Sequence, residues 1–489
     1  MNFLIDTNVV IPLEPTSRSE VKQNTLLASQ FAGQVAEGGH SLYIHPEINA
    51  DISRDPDVER RTTLQILIKK YQILPEPPSL TPRIITAFGV PPRLSNDWVD
   101  IHLLAALDSD AVDILVTEDR GIRTKAAQLG LQPRVATIAE ALSIIRDLYK
   151  TAPTPPPSVK EVRAHNLDSS DPIFQSLRSD YPGFDAWLVK AKREQRRCWV
   201  IYAENSELAA ISIVKSEYSK EFGLPGKLLK ICTFKVSEDY NGFRYGELLL
   251  KAILGYVDAG KFDYTYLTVF DKHEHLIALM QDFGFKLTSH STELGELVLA
   301  KPPLMSEQER ANLSSLDFNI NFGPYALKYE GTPVFVVPIQ PPFHSSLFPD
   351  AEQQRTLFPR NSPFGNAMRK AYLCNSANRQ LATGDILLFY RSQDYKSVTA
   401  VGVTEDTLVS SSAIEIARFV GKRTVYKYSD IEDMSQKDVL AILFRQSRFL
   451  SKPITIKELQ EQKFLNRSPQ TITRLRRETD RWLQTRLGG

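Results

Sequence analysis

The chain has 489 residues, and its 59 Lys and Arg against 58 Asp and Glu give a formal net charge of +1. This length is too great for one hydrophobic core and indicates about three domains. The near-zero net charge excludes a polycation, so any nucleic-acid surface must be local. Three widely spaced cysteines fit neither a disulfide framework nor a zinc site. No apolar run is long enough to span a bilayer, and we predict a cytoplasmic protein without a membrane partner.

Acidic residues in the first 150 positions follow apolar runs that are typical of buried parallel strands. In open α/β sheets the working groups lie just beyond the carboxyl ends of the strands. Four acids lie at the end of a predicted strand or at the start of a predicted helix: Asp6, Glu47, Asp100 and Asp119. This placement allows the four carboxylates to meet at one spot. Each also has a structural explanation, because Asp, Asn and Thr often cap helices and acids favour the first helical turn.

Residues 1–150 resemble the PIN domains, a family of metal-dependent ribonucleases. The resemblance is carried by Leu-Ile-Asp-Thr-Asn at 4–8, by Leu-Val-Thr-Glu-Asp-Arg at 115–120, and by an acid that opens an Ala-rich helix. It implies a parallel α/β sandwich in which the four acids bind metal and act in catalysis. Three residues remain alternatives to Glu47: Glu14, Asp51 and Glu59. Asp97 is the alternative to Asp100.

The chemistry of this family suits a cluster of carboxylates. Four such groups repel one another unless a cation compensates them. Mg²⁺ or Mn²⁺ prefers oxygen ligands and activates water for attack on a phosphoryl group. The resemblance therefore implies an endoribonuclease that hydrolyses RNA. PIN folds also occur among the toxins of bacterial toxin–antitoxin pairs, which implies a small antitoxin protein as a second partner.

Residues 151–157 read Thr-Ala-Pro-Thr-Pro-Pro-Pro and predict a semi-rigid linker. Residues 158–303 then alternate strands and helices, and this succession resembles the acyl-CoA N-acetyltransferases of the GNAT superfamily. The resemblance implies a central α/β domain that binds acetyl-CoA. The pyrophosphate loop of the family, Gln/Arg-x-x-Gly-x-Gly/Ala, maps onto Asn241, Gly242, Phe243, Arg244, Tyr245 and Gly246. The acetyl group is implied to lie against the preceding strand, at Thr233, Phe234, Lys235 and Val236.

Several positions depart from the GNAT pattern. Asn241 replaces the Gln or Arg of the loop, and Arg244 replaces its first glycine. Met280 stands where many members carry a tyrosine that protonates the departing thiolate, and methionine cannot donate a proton. A fold retained for docking or regulation is therefore an alternative to an active acetyltransferase. His273 and His275 fall on a predicted surface turn, where a metal role is disfavoured.

Residues 304–489 begin with apparent strands and end in a basic tail. The Gly384-Asp385 turn before an apolar strand resembles the PUA-like barrels of the ASCH and EVE group, which implies an RNA-binding β-barrel followed here by a helical tail. Four aromatic residues interleave with basic ones and are able to stack on bases: Tyr372, Phe389, Tyr390 and Tyr395. The alternative is that these aromatics form the barrel core.

Taken together, the chain is predicted to be a multidomain α/β and α+β protein. The first hypothesis for its function is a metal-dependent endoribonuclease of toxin type, with RNA held by the PUA-like domain. The alternative is an acetyl-CoA-dependent N-acetyltransferase that acts on RNA or protein. A non-catalytic RNA-binding or CoA-sensing regulator is the third hypothesis.

Overall fold

The computed structural model describes residues 1–13, 23–149, 158–203, 205–218, 221–237, 240, 244–302, 312–349, 367–476 and 479–488. The chain divides into two compact units. The first comprises Met1–Thr151 and Ser410–Lys437, and the second comprises Ala152–Val409 and Asp438–Gly489. Among the helices of these ranges, none combines the length and the apolar character that crossing a bilayer would require.

The first unit is built on a parallel five-stranded sheet of order β3-β2-β1-β4-β5. Its strands are β1 (Asn2–Ile5), β2 (Ser41–Ile44), β3 (Gln72–Ile73), β4 (Ile114–Val116) and β5 (Val135–Ala136). Its helices are α1 (Thr7–Leu13), α2 (Gln23–Glu37), α3 (Ile48–Ser53), α4 (Val58–Leu67), α5 (Pro82–Phe88), α6 (Asn96–Asp108), α7 (Arg120–Gln128) and α8 (Ile138–Leu148). The central strand β1 is apolar on both faces, as expected for a strand covered by helices on both sides.

The middle of the second unit is a seven-stranded sheet of order β11-β12-β10-β9-β8-β7-β6. Its strands are β6 (Lys160–Arg163), β7 (Arg197–Tyr202), β8 (Leu208–Tyr218), β9 (Lys227–Val236), β10 (Tyr264–Val269), β11 (Lys286–Ser291) and β12 (Leu297–Lys301). Its helices are α9 (Gln175–Asp180), α10 (Phe184–Arg193), α11 (Tyr245–Gly260) and α12 (Glu274–Asp282). Neighbouring strands are antiparallel except β9 and β10, which are parallel.

Period-two alternation along β7 places helices on both faces of this sheet. Trp199 and Ile201 pack in the core that contains α11 and α12. Cys198 and Val200 point the other way, into the core that contains α10. The result is a three-layer α/β/α arrangement in which the parallel pair β9 and β10 lies near the middle of the sheet.

The last sheet of the second unit has the order β14-β17-β16-β15-β13-β18. Its strands are β13 (Val334–Ile339), β14 (Arg369–Cys374), β15 (Ile386–Arg391), β16 (Ser397–Ser410), β17 (Val439–Thr455) and β18 (Thr473–Arg474). The flanking helices are α13 (Ser315–Phe322), α14 (Pro341–Leu347), α17 (Ile456–Glu461) and α18 (Arg481–Arg486). The predicted Gly384 turn is present and opens β15, with Gly384 at φ 92°. The tail is not wholly helical, because residues 473–474 pair with β13 as a strand.

Two short helices, α15 (Ala413–Val420) and α16 (Tyr428–Met434), follow β16 in sequence but belong to the first unit. Arg418 forms ion pairs with Asp113 and with Asp110, the latter at 3.2 Å. Tyr428 stacks on Tyr149 with ring centroids 5.4 Å apart. The predicted domain ranges were 1–150, 158–303 and 304–489. Residues 410–437 fall in the last of these ranges but belong to the first compact unit.

Candidate functional site

The parallel strands β9 and β10 separate into a fork. Their pairing runs from Leu228 opposite Tyr264 to Ile231 opposite Leu267. Beyond this point β9 continues against β8, and β10 continues against β12. The predicted acetyl-binding residues 233–236 lie on the β9 arm of the fork. A strand whose partner turns away offers its backbone groups to a bound ligand, because those groups need hydrogen-bond partners.

The helix α11 begins at the open end of this fork. Its second residue is Gly246, and a Cβ atom added there would lie 3.0 Å from Leu279 Cδ2 and 3.5 Å from Phe234 Cε1. The glycine therefore permits close approach of the helix start to the β9 arm. Tyr245 stacks on Tyr240, with an interplanar angle of 16°. The remaining loop residues that were predicted to bind pyrophosphate, Asn241, Gly242 and Phe243, lie outside the described residues.

Arg244 precedes α11 with φ 60°, in the left-handed region that glycine adopts most easily. Glycine, which the family pattern has at the corresponding position, adopts this conformation without steric cost. The Arg244 side chain is buried, and its Nε donates to Glu247 Oε2 at 2.7 Å. Glu247 also accepts from the backbone N–H of Arg369 at 2.7 Å. Arg244 was predicted to bind cofactor, but an intramolecular carboxylate already neutralises its charge.

Met280 is fully buried and packs in the core beneath α11. It contributes apolar contact and stands apart from any proton transfer. Met280 therefore cannot take the acid role that the resemblance gives to a tyrosine at this position.

Polar side chains gather at the end of the β10 arm, and the sequence analysis named only His273 among them. Tyr181 donates to Glu296 Oε1 at 2.9 Å and stacks on Phe270 with centroids 5.4 Å apart. His273 Nε2 lies 3.3 Å from Asp180 Oδ2. The contacts join residues about 90 to 115 positions apart in the chain. No local pattern marks such pairs, and only the position of His273 directly before a helix was a visible signal.

Asp6, the first of the predicted acids, lies directly after β1. Asp6 is buried, and it accepts from Thr117 Oγ1 at 2.9 Å, from Asn8 Nδ2 at 2.6 Å and from the Thr7 N–H at 2.6 Å. Burial raises the pKa of Asp6 to about 7, against these hydrogen bonds, and the charges of two further aspartates add to the rise. Those two are Asp51 and Asp100.

Asp51, which was an alternative to Glu47, is thus one of the two acids whose charge raises the pKa of Asp6. It accepts from Thr7 Oγ1 at 2.8 Å. Glu47 itself is the residue before α3, where its side chain makes no capping hydrogen bond. Glu14 and the side chain of Glu59 lie outside the described part of the chain.

Asp100 and Asp119 are both engaged by neighbours. Burial raises the pKa of Asp100, although Lys125 Nζ lies 2.7 Å from its carboxylate and opposes that rise. The same lysine is 2.5 Å from Asp97, the alternative to Asp100. Asp119 caps α7 by accepting from the Ile122 N–H at 3.1 Å. In the described ranges, no group of three or more His, Cys, Asp or Glu side chains is arranged to hold a metal ion. The ligand set predicted for Mg²⁺ or Mn²⁺ is therefore not assembled among the described side chains.

The aromatic residues of the last sheet are mainly core residues, which was the alternative to base stacking. Phe389 is fully buried, and its ring centroid lies 4.5 Å from that of Phe444. Tyr372 and Tyr390 are also buried, whereas Tyr395 is 45% exposed. Of the four aromatics proposed to stack on bases, Tyr395 alone presents substantial surface. At least one basic residue of this sheet is also buried in an ion pair rather than exposed to a nucleic acid. Arg445 Nε lies 2.7 Å from Glu405 Oε1.

Comparisons with known proteins bear on the middle of the chain. Residues 161–285 match the acetyltransferase (GNAT) family, so a GNAT domain is present there. Similar solved structures include the PaiA N-acetyltransferase of Thermoplasma acidophilum in complex with coenzyme A, at 14% identity over 30% of this chain and 99% of that chain, with a TM-score of 0.24. A GNAT-family acetyltransferase of Staphylococcus aureus is 10% identical over 30% and 99%, with a TM-score of 0.24. The ASCH protein of Zymomonas mobilis is 13% identical over 32% and 92%, with a TM-score of 0.23. No curated protein sequence matches the chain.

Proposed function

We propose that this protein is an acyl-CoA-dependent N-acetyltransferase whose active site is the fork between β9 and β10. The observation that carries the proposal is the match of residues 161–285 to the GNAT family. The fork adds support, because the arm at residues 233–236 and the start of α11 meet at its open end. This favours the acetyltransferase over the ribonuclease as the main function.

Acetyl-CoA would be held by backbone groups rather than by a basic side chain. The N–H groups at the first turn of α11, at Tyr245 and Gly246, are suited to a pyrophosphate because a helix N-terminus carries partial positive charge. Arg244 adds little, since Glu247 holds its guanidinium. When bound, acetyl-CoA supplies an acetyl group activated as a thioester. The acceptor that we propose is an amine of RNA or protein.

Binding and transfer can be tested on the full chain with isotopically labelled acetyl-CoA. A ligand at 100 times its Kd stabilises a protein by about 2.7 kcal/mol, so a rise in Tm with acetyl-CoA concentration is expected. Gly246→Ala places a methyl group 3.0 Å from Leu279 and should weaken acetyl-CoA binding roughly tenfold, because small misplacements at a site are costly.

Gly255→Ala is the matched control, since it makes the same change in the same helix, where the new Cβ would meet Tyr325 Oη at 3.2 Å. It should leave acetyl-CoA affinity within twofold of the wild-type value, roughly. If millimolar acetyl-CoA neither raises Tm nor labels any acceptor, the domain keeps the fold without binding acetyl-CoA, and the proposal is wrong.

A metal-dependent ribonuclease in the first unit is a second candidate. It is favoured by the burial of the Asp6 carboxyl, whose pKa burial raises and the charges of Asp51 and Asp100 raise further, because a nearby cation would offset that cost. RNA as substrate and a small antitoxin protein as partner belong to this candidate. The test is incubation of total RNA with Mn²⁺, with and without EDTA, for the wild type, Asp6→Asn and Glu47→Gln. Cleavage that needs both Mn²⁺ and Asp6 would support it, and intact RNA in every lane would exclude it.

A further inference from the structure

A histidine and an aspartate face each other at the rim of the fork. His273 follows β10 and directly precedes α12, and its Nε2 lies 3.3 Å from Oδ2 of Asp180, the last residue of α9. The hydrogen bond that Nε2 makes decides which ring nitrogen carries the proton. With Nε2–H directed at the carboxylate, Nδ1 is the basic nitrogen. This is the arrangement of an imidazole oriented by an acid, in which the histidine can accept a proton.

The charges around His273 come from both arms of the fork. Burial lowers the pKa of His273 below its ordinary value of 6.5 and outweighs the charge of Asp180, which raises it. Lys272 on the same turn and Lys235 on the β9 arm also lower it. Lys272 in addition forms an ion pair with Asp180. His273 is therefore neutral near pH 7, which is the form that a base requires.

A buried carboxylate lies on the other side of the same arm. Glu296 directly precedes β12, whose first residue, Leu297, pairs with Val269 at the end of β10. It is 7% exposed. Its described partners are two neutral hydroxyl groups, Tyr181 at 2.9 Å and Thr292 at 3.2 Å. A buried carboxylate without a cation is costly, so a positively charged ligand would be favoured at this rim.

These contacts lead to one assignment, which rests on the proposed function. We propose that His273, positioned by Asp180, is the catalytic base of the transfer, and that its acceptor is a primary amine drawn in as a cation by Glu296. The ammonium first gives one proton to His273 Nδ1, which passes it to solvent, so that the neutral nitrogen has a free electron pair. The amine nitrogen then forms a bond to the acetyl carbon, and the carbon–sulfur bond breaks with its electron pair left on sulfur. The second proton lost by nitrogen goes to His273 Nδ1 and then to the departing thiolate, which replaces the acid that Met280 cannot supply.

The first experiment compares His273→Gln with His275→Gln, which changes the neighbouring histidine of the same turn. Labelled acetyl-CoA is supplied with two amine probes, namely spermidine and an N-terminally acetylated peptide with one lysine, and with the same peptide in which norleucine replaces lysine. We expect at least one amine probe to be labelled and the norleucine peptide to stay unlabelled. His273→Gln should lower kcat by about 10²–10⁴-fold and leave the rise of Tm with acetyl-CoA unchanged, while His275→Gln should behave as the wild type.

The pH profile separates a catalytic role from a structural one. The neutral imidazole is the active form, so kcat/KM should fall as the pH decreases through the pKa of His273, below 6.5. Because the Asp180 charge raises that pKa, Asp180→Asn should move the acid limb to lower pH as well as reduce kcat. A purely structural role would lower the rate without moving the limb.

The outcomes distinguish the inference from the function on which it rests. Wild-type protein that shows no Tm shift with acetyl-CoA would reject both. Two results would reject only the assignment of the base, provided that acetyl-CoA raises Tm. One is that His273→Gln still transfers the acetyl group at the wild-type rate, and the other is that Asp180→Asn does not move the acid limb of the pH profile. A Tm shift with labelling of none of the amine probes would reject the amine acceptor.

Discussion

A buried ion pair in the first turn of α11, the helix that we propose to bind acetyl-CoA, connects this helix to the last sheet. The side chains of Arg244 and Glu247 are each 6% exposed, and Glu247 also accepts the N–H of Arg369 on β14. Removing one partner of a buried pair leaves an uncompensated charge, which costs about 3–5 kcal/mol. Glu247→Ala should therefore lower the free energy of unfolding by about that amount. Glu247→Gln should cost less, about 1.5–3 kcal/mol, because its amide oxygen still accepts the Arg369 N–H.

Thermal unfolding followed by circular dichroism measures both losses. In a unit of this size, 1 kcal/mol corresponds to roughly 1.5 °C in Tm, so Glu247→Ala should melt about 5–8 °C below the wild type. Arg193→Ala, at the exposed end of α10, is the control and should change Tm by less than about 1 °C. A loss of less than about 1 °C for Glu247→Ala would refute the reasoning, since a buried guanidinium cannot lose its counter-charge without cost.

The same pair predicts a dependence on pH. Burial raises the pKa of Glu247, but the Arg244 charge and the Arg369 N–H and charge outweigh it, so the folded-state value lies below 4.5. The unfolded chain then binds a proton at higher pH than the folded one. The stabilisation is fully present above pH 4.5 and is lost as the pH falls through the folded value. The Tm difference between wild type and Glu247→Gln should accordingly shrink below pH 4.5.

Other substitutions test the remaining contacts. Met280→Leu conserves volume in the core, so it should cost less than about 1.5 kcal/mol in urea unfolding and leave acetyl transfer unchanged; a large loss of kcat would give Met280 a chemical role. Tyr181→Phe removes one hydroxyl donor from the buried Glu296 and should cost about 1–3 kcal/mol; an unchanged Tm would mean that water replaces it. Asp6 binds its proton in the folded state up to about pH 7, so the free energy of unfolding of the wild type should decrease as the pH rises from about 4 to about 7. Asp6→Asn should abolish that fall, and a persistent slope would assign it to another group.

Local features of the sequence were sufficient to predict local structure. The apolar run at residues 3–5 forms the central parallel strand, and the Gly384 turn opens β15 as expected. The middle segment was assigned to the GNAT superfamily from its succession of elements, and residues 161–285 match that family. Hydrophobic period and turn chemistry depend on neighbours in sequence, so these features could be recognised without knowledge of the fold.

Contacts between distant residues could not be recognised in this way. Phe389 lies in the core because β17 brings Phe444 against it, and nothing in the sequence around Phe389 separates that role from stacking on a base. From the sequence alone Arg244 is consistent with a phosphate-binding loop. In the structure it pairs with Glu247, which also accepts a hydrogen bond from the N–H of Arg369, 122 positions away. The helices at residues 413–434 follow a strand of the last sheet yet belong to the first unit.

The central strand of the first unit, the Gly384 turn and the kind of domain at residues 161–285 could be predicted from the amino-acid order, because short-range periodicity and backbone preference decide them. Which polar groups contact one another depends instead on how distant elements pack. Asp180 reaches His273, and Tyr181 reaches Glu296, because the end of α9 packs against the end of the β10 arm. The protonation and the partner of a side chain depend on burial and on charges from other elements. These quantities exist only after the chain has folded, and they carry the proposed chemistry.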